Sequence, residues 1–188
     1  AGVIVARAAV RVFLLFSTLA ASSIAKAQEG EVFAPEDALG AQVHTDDADR
    51  FVAVFDGSVG APDAAALQRD YLDAGSQAVK IFTPHRIQSA ENLAGAIAND
   101  PANYREAIDR CLPVVKESSR ELQAIYLALH GLFPDRPLPQ VHALFGAGNS
   151  GGTAVDGAQV LGIEVLCTIA SDDDALREML RMFFAHET

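Results

Sequence analysis

The chain has no tryptophan and only three tyrosines in 188 residues. Surfaces that stack on bases or sugars are built from clustered aromatics, and no such cluster occurs. Positive charge is also scarce: Lys and Arg total 14 against 25 Asp and Glu, a formal net charge of −11. That balance argues against nucleic acid or an anionic membrane as a partner. Cys111 and Cys167 are the only cysteines, and their spacing makes no metal motif. They either form one disulfide, as export would allow, or stay two separate buried thiols, and the spacing does not decide. Against these absences, 50% of the residues are hydrophobic. A chain of this length and composition can bury a real core as one domain and is not disordered over most of its length.

The first 27 residues have the layout of a secretory signal. Arg7 and Arg11 supply positive charge, Val12 to Ala21 is a short apolar core, and Ala25-Lys26-Ala27 places small residues at the cleavage-defining positions. Cleavage is expected before Gln28. The competing reading is an uncleaved anchor, for which the apolar run falls short of the roughly 18 residues a span needs. No stable membrane insertion is expected after cleavage. Removing residues 1–27 takes three basic side chains and no acids, leaving 11 basic against 25 acidic, a net −14.

Residues 28–44 are polar and mixed and read as a flexible lead-in. Thr45 followed by Asp46, Asp47 and Asp49 reads as a helix start, with the acids near the positive end of the helix dipole. Phe51 to Phe55 fits either its continuation or a short strand. Asp63 to Ala74 is helical in pattern. Thr83-Pro84 and Asp100-Pro101 each place a capping residue before proline at a first helical position, predicting helices over about 84–98 and 101–118. Pro113 predicts a kink near 109–113, and Val114 to Gly131 continues as an amphipathic helix. The period then changes. Gln140 to Phe145 and Gln159 to Leu166 read as strands, expected to pair antiparallel across the glycine-rich segment Gly146 to Thr153. Ser171 with the following acids caps a last helix. The fold class is therefore α+β and mostly helical: a helical N-terminal part, a short strand pair, then a closing helix.

That closing helix carries the sharpest chemical signal. Leu176, Met179, Leu180, Phe183 and Phe184 form its apolar stripe, and His186-Glu187-Thr188 follow. Helical geometry sets His186 near Met179 and Phe183 and sets Glu187 near Leu180 and Phe184, both beside the apolar face. In a His-Glu-x-x-His helix, two histidines at i and i+4 bind Zn²⁺ and the intervening Glu is general base to the metal-bound water. The second histidine would lie two residues beyond Thr188.

The surrounding sequence resembles bacterial predicted zinc-dependent proteases of the zincin type. The resemblance is carried by Leu132-Phe-Pro134, the strand to Phe145, the loop through Gly151-Gly-Thr-Ala154, Gly162-Ile-Glu164 and then His186-Glu187. Upstream, Asp49 to Phe51, Leu67 to Leu72 and Ile97 to Tyr104 resemble the helical half of such proteins. It implies residues 45–188 as a metallopeptidase-like domain truncated within its zinc motif, His186 as first zinc ligand, Glu187 as catalytic base, a Zn²⁺ cofactor and a peptide or protein substrate. It also implies that Val141–Phe145 or Val160–Leu166 pairs with extended substrate. One histidine cannot hold catalytic zinc, which takes about three protein ligands, so this chain by itself is expected to be inactive. Uncovered Phe183 and Phe184 predict self-association.

Other readings are weaker. Gly146-x-Gly148-x-x-Gly151 matches a dinucleotide fingerprint only if it opens a helix. Asn149-Ser150-Gly151-Gly152 resembles a serine-protease nucleophile loop, and nothing ties His130 or His142 to Ser150 as its base. His44, His85, His130 and His142 show no ligand spacing, and Asp172 to Asp174 lacks the spaced oxygens of a calcium loop. The alternative from a different class is a non-catalytic periplasmic helical module for binding or scaffolding.

Overall fold

A computed structural model describes residues 33–186. The signal expected at 1–27 and the expected catalytic base Glu187 lie outside the described residues.

The order is β1 (Val43–His44), α1 (Asp46–Gly57), α2 (Ala64–Leu67), α3 (Gln77–Phe82), α4 (Ala90–Asn99), α5 (Pro101–Glu106), α6 (Leu112–Glu117), α7 (Ser119–Leu132), β2 (Gln140–Leu144), β3 (Gly152–Val155), β4 (Ala158–Gly162), α8 (Ile163–Ile169) and α9 (Asp173–His186). The fold is α+β, mostly helical, around a mixed four-stranded sheet of order β1-β2-β4-β3. Phe51 to Phe55 belongs to α1. Phe51 stacks on Phe145 at 4.5 Å between ring centroids and meets the Tyr71 ring edge-on at 5.3 Å, fixing α1 against the end of β2.

Among the caps expected from the sequence, Thr45 makes no side-chain cap bond, and at the last helix Asp172 rather than Ser171 accepts, from the Ala175 N–H at 2.8 Å. Asp100 caps as expected, accepting from the N–H of Asn103 at 3.1 Å, and Asp63 caps α2, accepting from the N–H of Ala66 at 2.7 Å. Thr83-Pro84, in contrast, starts no helix. Thr83 Oγ1 donates back to the Val79 carbonyl at 2.7 Å, and the helix opened by Ser76 runs on through a π turn, Thr83–Ile87. The wider turn accommodates the missing proline N–H. The next helix begins at Ala90 under a Ser89 cap. Pro113 acts similarly: a π turn, Ala107–Cys111, precedes it, and the break between α6 and α7 comes at Ser118.

The strand pairing differs from expectation. β2 and β4 run parallel, with His142 opposite Val160, and residues 163–169 are helix rather than strand. The reason is a second chain reversal. Asp156-Gly157, with Gly157 at φ +79°, closes a two-residue hairpin between β3 and β4. Two reversals after β2 restore its direction in β4.

Residues 33–44 are held to the body. The Glu36 N–H donates to the Leu138 carbonyl at 2.8 Å, Gln140 Nε2 to the Ala34 carbonyl at 3.1 Å and Gln123 Nε2 to the Ala41 carbonyl at 3.0 Å. Cys111 and Cys167 form a disulfide that ties the π turn before Pro113 to α8. No helix of the described residues is long and apolar enough to cross a membrane.

Candidate functional site

Two features converge on the glycine-rich segment between β2 and β3. The first is a buried polar cage where β2 ends. Tyr71 Oη donates to the Phe145 carbonyl at 2.6 Å and accepts from its N–H at 3.2 Å. Tyr104 Oη donates to the Gly146 carbonyl at 2.9 Å. Glu164, in the first turn of α8, accepts from the N–H of Gly146 at 3.0 Å and of Gly148 at 3.1 Å, one on each carboxylate oxygen. Its side chain is fully buried. Burial without a counter-ion pushes the Glu164 carboxyl up to about 7, against the lowering effect of three backbone amides, those of Gly146, Glu164 itself and Gly148. Both tyrosines are raised, first by burial and then by the charge of Glu164. Gly146 has no room for a side chain: a Cβ there would meet the Phe82 ring at 2.8 Å and Glu164 Oε1 at 3.0 Å. Outside this turn lies a cleft of about 560 Å³ bordered by Asn99, Asn103, Tyr104, Gly148 and Thr168.

The second feature is the open edge of the sheet. β3 is the last strand on its side. The hairpin register bonds Val155, Thr153 and Gly151 to β4, the last through the Gly162 N–H at 3.1 Å. Alternation therefore turns the Gly152 N–H and the Ala154 N–H and carbonyl toward the open side. The Gly152 carbonyl accepts from Ser150 Oγ at 2.9 Å. Next to this strand stands α9. A Cβ at Gly152 would lie 3.5 Å from the Phe183 ring and one at Gly151 would lie 3.8 Å from it, ordinary contact distances that set the start of the strand beside that helix.

His186 ends α9, one turn beyond Phe183, and is exposed. Leu176, Leu180 and Phe184 are buried, with Met179 and Phe183 partly so. The expectation that Phe184 is uncovered is therefore corrected: α7 and the α5–α6 helix take up that face. No group of three or more metal-binding side chains occurs among the described residues. His186 alone does not make a zinc site.

The rival readings fare differently. The glycine segment leads into β3 rather than a helix, so it lacks the context of a dinucleotide fingerprint. Ser150 donates to a backbone carbonyl, with no histidine bonded to it among the described residues. His142 instead stacks on His44 at 4.8 Å on the neighbouring strand. His44 Nε2 lies 3.0 Å from Glu36 Oε1 and His142 Nε2 lies 3.1 Å from Gln140 Oε1. Burial, with His44 second, pulls His142 down to about 4.

Of the strands expected to receive substrate, β4 is paired on both sides, by β2 and β3, and β2 is paired by β4 on one side and by β1 at Val141 and His142 on the other. The edge strand escapes sequence reasoning because Thr153-Ala-Val155 is short. The Asp156-Gly157 turn after it is the signal that could have found it. The clamp made by Glu164 has a weaker signal, an acid directly after an apolar strand.

Comparison with protein-family models, curated proteins and solved structures finds no match to this chain.

Proposed function

We propose that this chain is the zincin-like part of an exported, zinc-dependent peptidase that hydrolyses peptide bonds. One observation supports the reading: Phe183, one turn before His186 on α9, lies against Gly151 and Gly152, where the open edge strand begins. A peptidase needs an extended peptide held by backbone hydrogen bonds beside its reactive centre, and an edge strand supplies such bonds. In this proposal His186 is the first zinc ligand, Glu187 is the general base and the remaining ligands come from outside the described residues. Bound zinc would activate a water for attack on the scissile carbonyl. The buried Cys111–Cys167 disulfide supports the exported part of the proposal, since such bonds persist in oxidising compartments.

The test uses the full-length product of the gene that encodes this chain. Zinc content and hydrolysis of an unfolded protein substrate are measured for the natural protein and for Glu187→Gln. The expected result is one zinc per chain in both and a loss of hydrolysis of at least about a hundredfold in the variant. Hydrolysis retained in Glu187→Gln removes its role as base. Peptide binding with neither zinc nor hydrolysis would make the chain the non-catalytic periplasmic module instead.

A further inference from the structure

The open strand β3 has none of the devices that close an edge. Its sequence, Gly152-Thr-Ala-Val155, carries no charge and no proline, and Ala154 and Val155 are exposed. An edge left in this state is a template for another chain. Its outward groups set the pairing. An antiparallel chain exchanges both bonds with Ala154 at one residue, and its second residue further on then stands opposite Gly152. What surrounds Gly152 gives that position a preference. In the hairpin register Gly152 lies opposite Leu161 and Ala154 opposite Gln159, both buried, so this row is on the covered face of the sheet. A Cβ at Gly152 would lie 3.3 Å from Leu161 Cδ2 and 3.5 Å from the Phe183 ring. Glycine puts no side chain there, and Phe183 is only partly buried. A residue paired with Gly152 sets its own Cβ about 5 Å across the strand on the same face. From that place a large apolar side chain reaches the Phe183 ring and covers it, and a small one does not.

We infer that Gly152 and Phe183 form a specificity site: β3 takes an extended peptide and selects a large apolar residue opposite Gly152. Extended backbone and large apolar side chains are exposed together in unfolded and partly folded proteins, so the substrate class is unfolded protein. This selection rests on the peptide-holding role given to the edge strand above, and it adds the side chain that the strand prefers. Gly152 and Phe183 act together. The first leaves the space, and the second supplies the apolar surface that fills it.

The experiment uses the full-length product carrying Glu187→Gln, so that peptide is held and not cleaved, and follows backbone amides by NMR. The probes are the capped peptides Ala-Thr-Leu-Thr-Ala and Ala-Thr-Ala-Thr-Ala. The leucine peptide should bind about fivefold to tenfold tighter than the alanine peptide. Binding should shift the Gly152 and Ala154 amides and leave Val141, on β2, unmoved. No binding, or equal affinity for the two peptides, overturns the inference. Phe183→Ala should bring the affinity ratio to about one, and Phe183→Leu, which keeps more of the packing on the core, should bring it about halfway there. A ratio unchanged in both variants overturns the role of Phe183. Ala154→Pro removes an outward donor that β4 does not use, so peptide binding should be lost with the hairpin intact. Binding retained in that variant overturns β3 as the site. Shifts at Gly152 and Ala154 that follow protein concentration without peptide give the edge to a second copy and overturn it as well. In the natural full-length product the leucine peptide should be cleaved with a kcat/KM higher by a similar factor. Hydrolysis without that preference removes the selection and keeps the peptidase reading. Selective binding with no hydrolysis keeps the selection and removes the peptidase reading.

Discussion

Acidification should act on this protein through one buried and one partly buried group with opposite signs. Glu164 rises from its ordinary 4.5 to about 7 on folding. The folded state therefore holds a proton that the unfolded chain has released between those values. Stability from this source is fully present below about 4.5 and is lost as pH rises through 7. At 1.36 kcal/mol per pH unit the gap is worth about 3 kcal/mol. His142 falls from 6.5 to about 4. Its contribution is present above about 6.5 and is lost as pH falls toward 4, again by about 3 kcal/mol. The two slopes oppose each other between about 4.5 and 6.5, where together they leave stability nearly flat. Single substitutions uncover each half. His142→Gln should gain about 3 kcal/mol on going from pH 7 to 4.5, and Glu164→Gln should lose about as much from pH 6.5 to 4. Glu164→Gln also starts lower by about 1–3 kcal/mol, because its amide NH₂ would face one of the two glycine N–H donors. Urea unfolding is readily followed by tyrosine fluorescence, since Tyr71, Tyr104 and Tyr126 are all buried and tryptophan is absent. A His142→Gln variant whose stability is flat or falls over this range would refute the reasoning.

Two further outcomes test the scaffold. Reduction of Cys111–Cys167, which closes a span of 56 residues, should lower unfolding stability by about 4 kcal/mol on the chain-entropy estimate, read as a shift in the urea midpoint between oxidised and reduced protein. An unchanged midpoint would show that the bond does not restrain the unfolded chain. Gly95 lies inside α4, and a Cβ added there would meet nothing within 4 Å, so Gly95→Ala should stabilise by about 1 kcal/mol, and a lowered melting temperature would contradict that account.

Features that depend only on neighbours along the chain were readable without the fold. Helical spacing, the Asp100 cap and the effect of Pro113 are local, so the α+β class and most helices were readable. The apolar stripe of α9 was equally local, and Leu176, Leu180 and Phe184 are buried as its period requires. Apart from the Thr45 and Ser171 caps, the failures involve distance in sequence. Thr83 resembles a cap, but it lies in a helix already begun at Ser76, and its hydroxyl turns back to Val79. Strand direction could not be read because it depends on how many times the chain reverses between Leu144 and Ala158. Cys111 and Cys167 were two candidates until packing of α8 on the turn before Pro113 joined them. Glu164 showed only as an acid after a strand. Tertiary structure made it a buried clamp by laying the Gly146–Gly148 turn across it, because the cost of burying a charge depends on what surrounds it in space. The same holds for α9: its apolar stripe was legible in the sequence, whereas the contact of Phe183 with the start of the open strand came from packing in space.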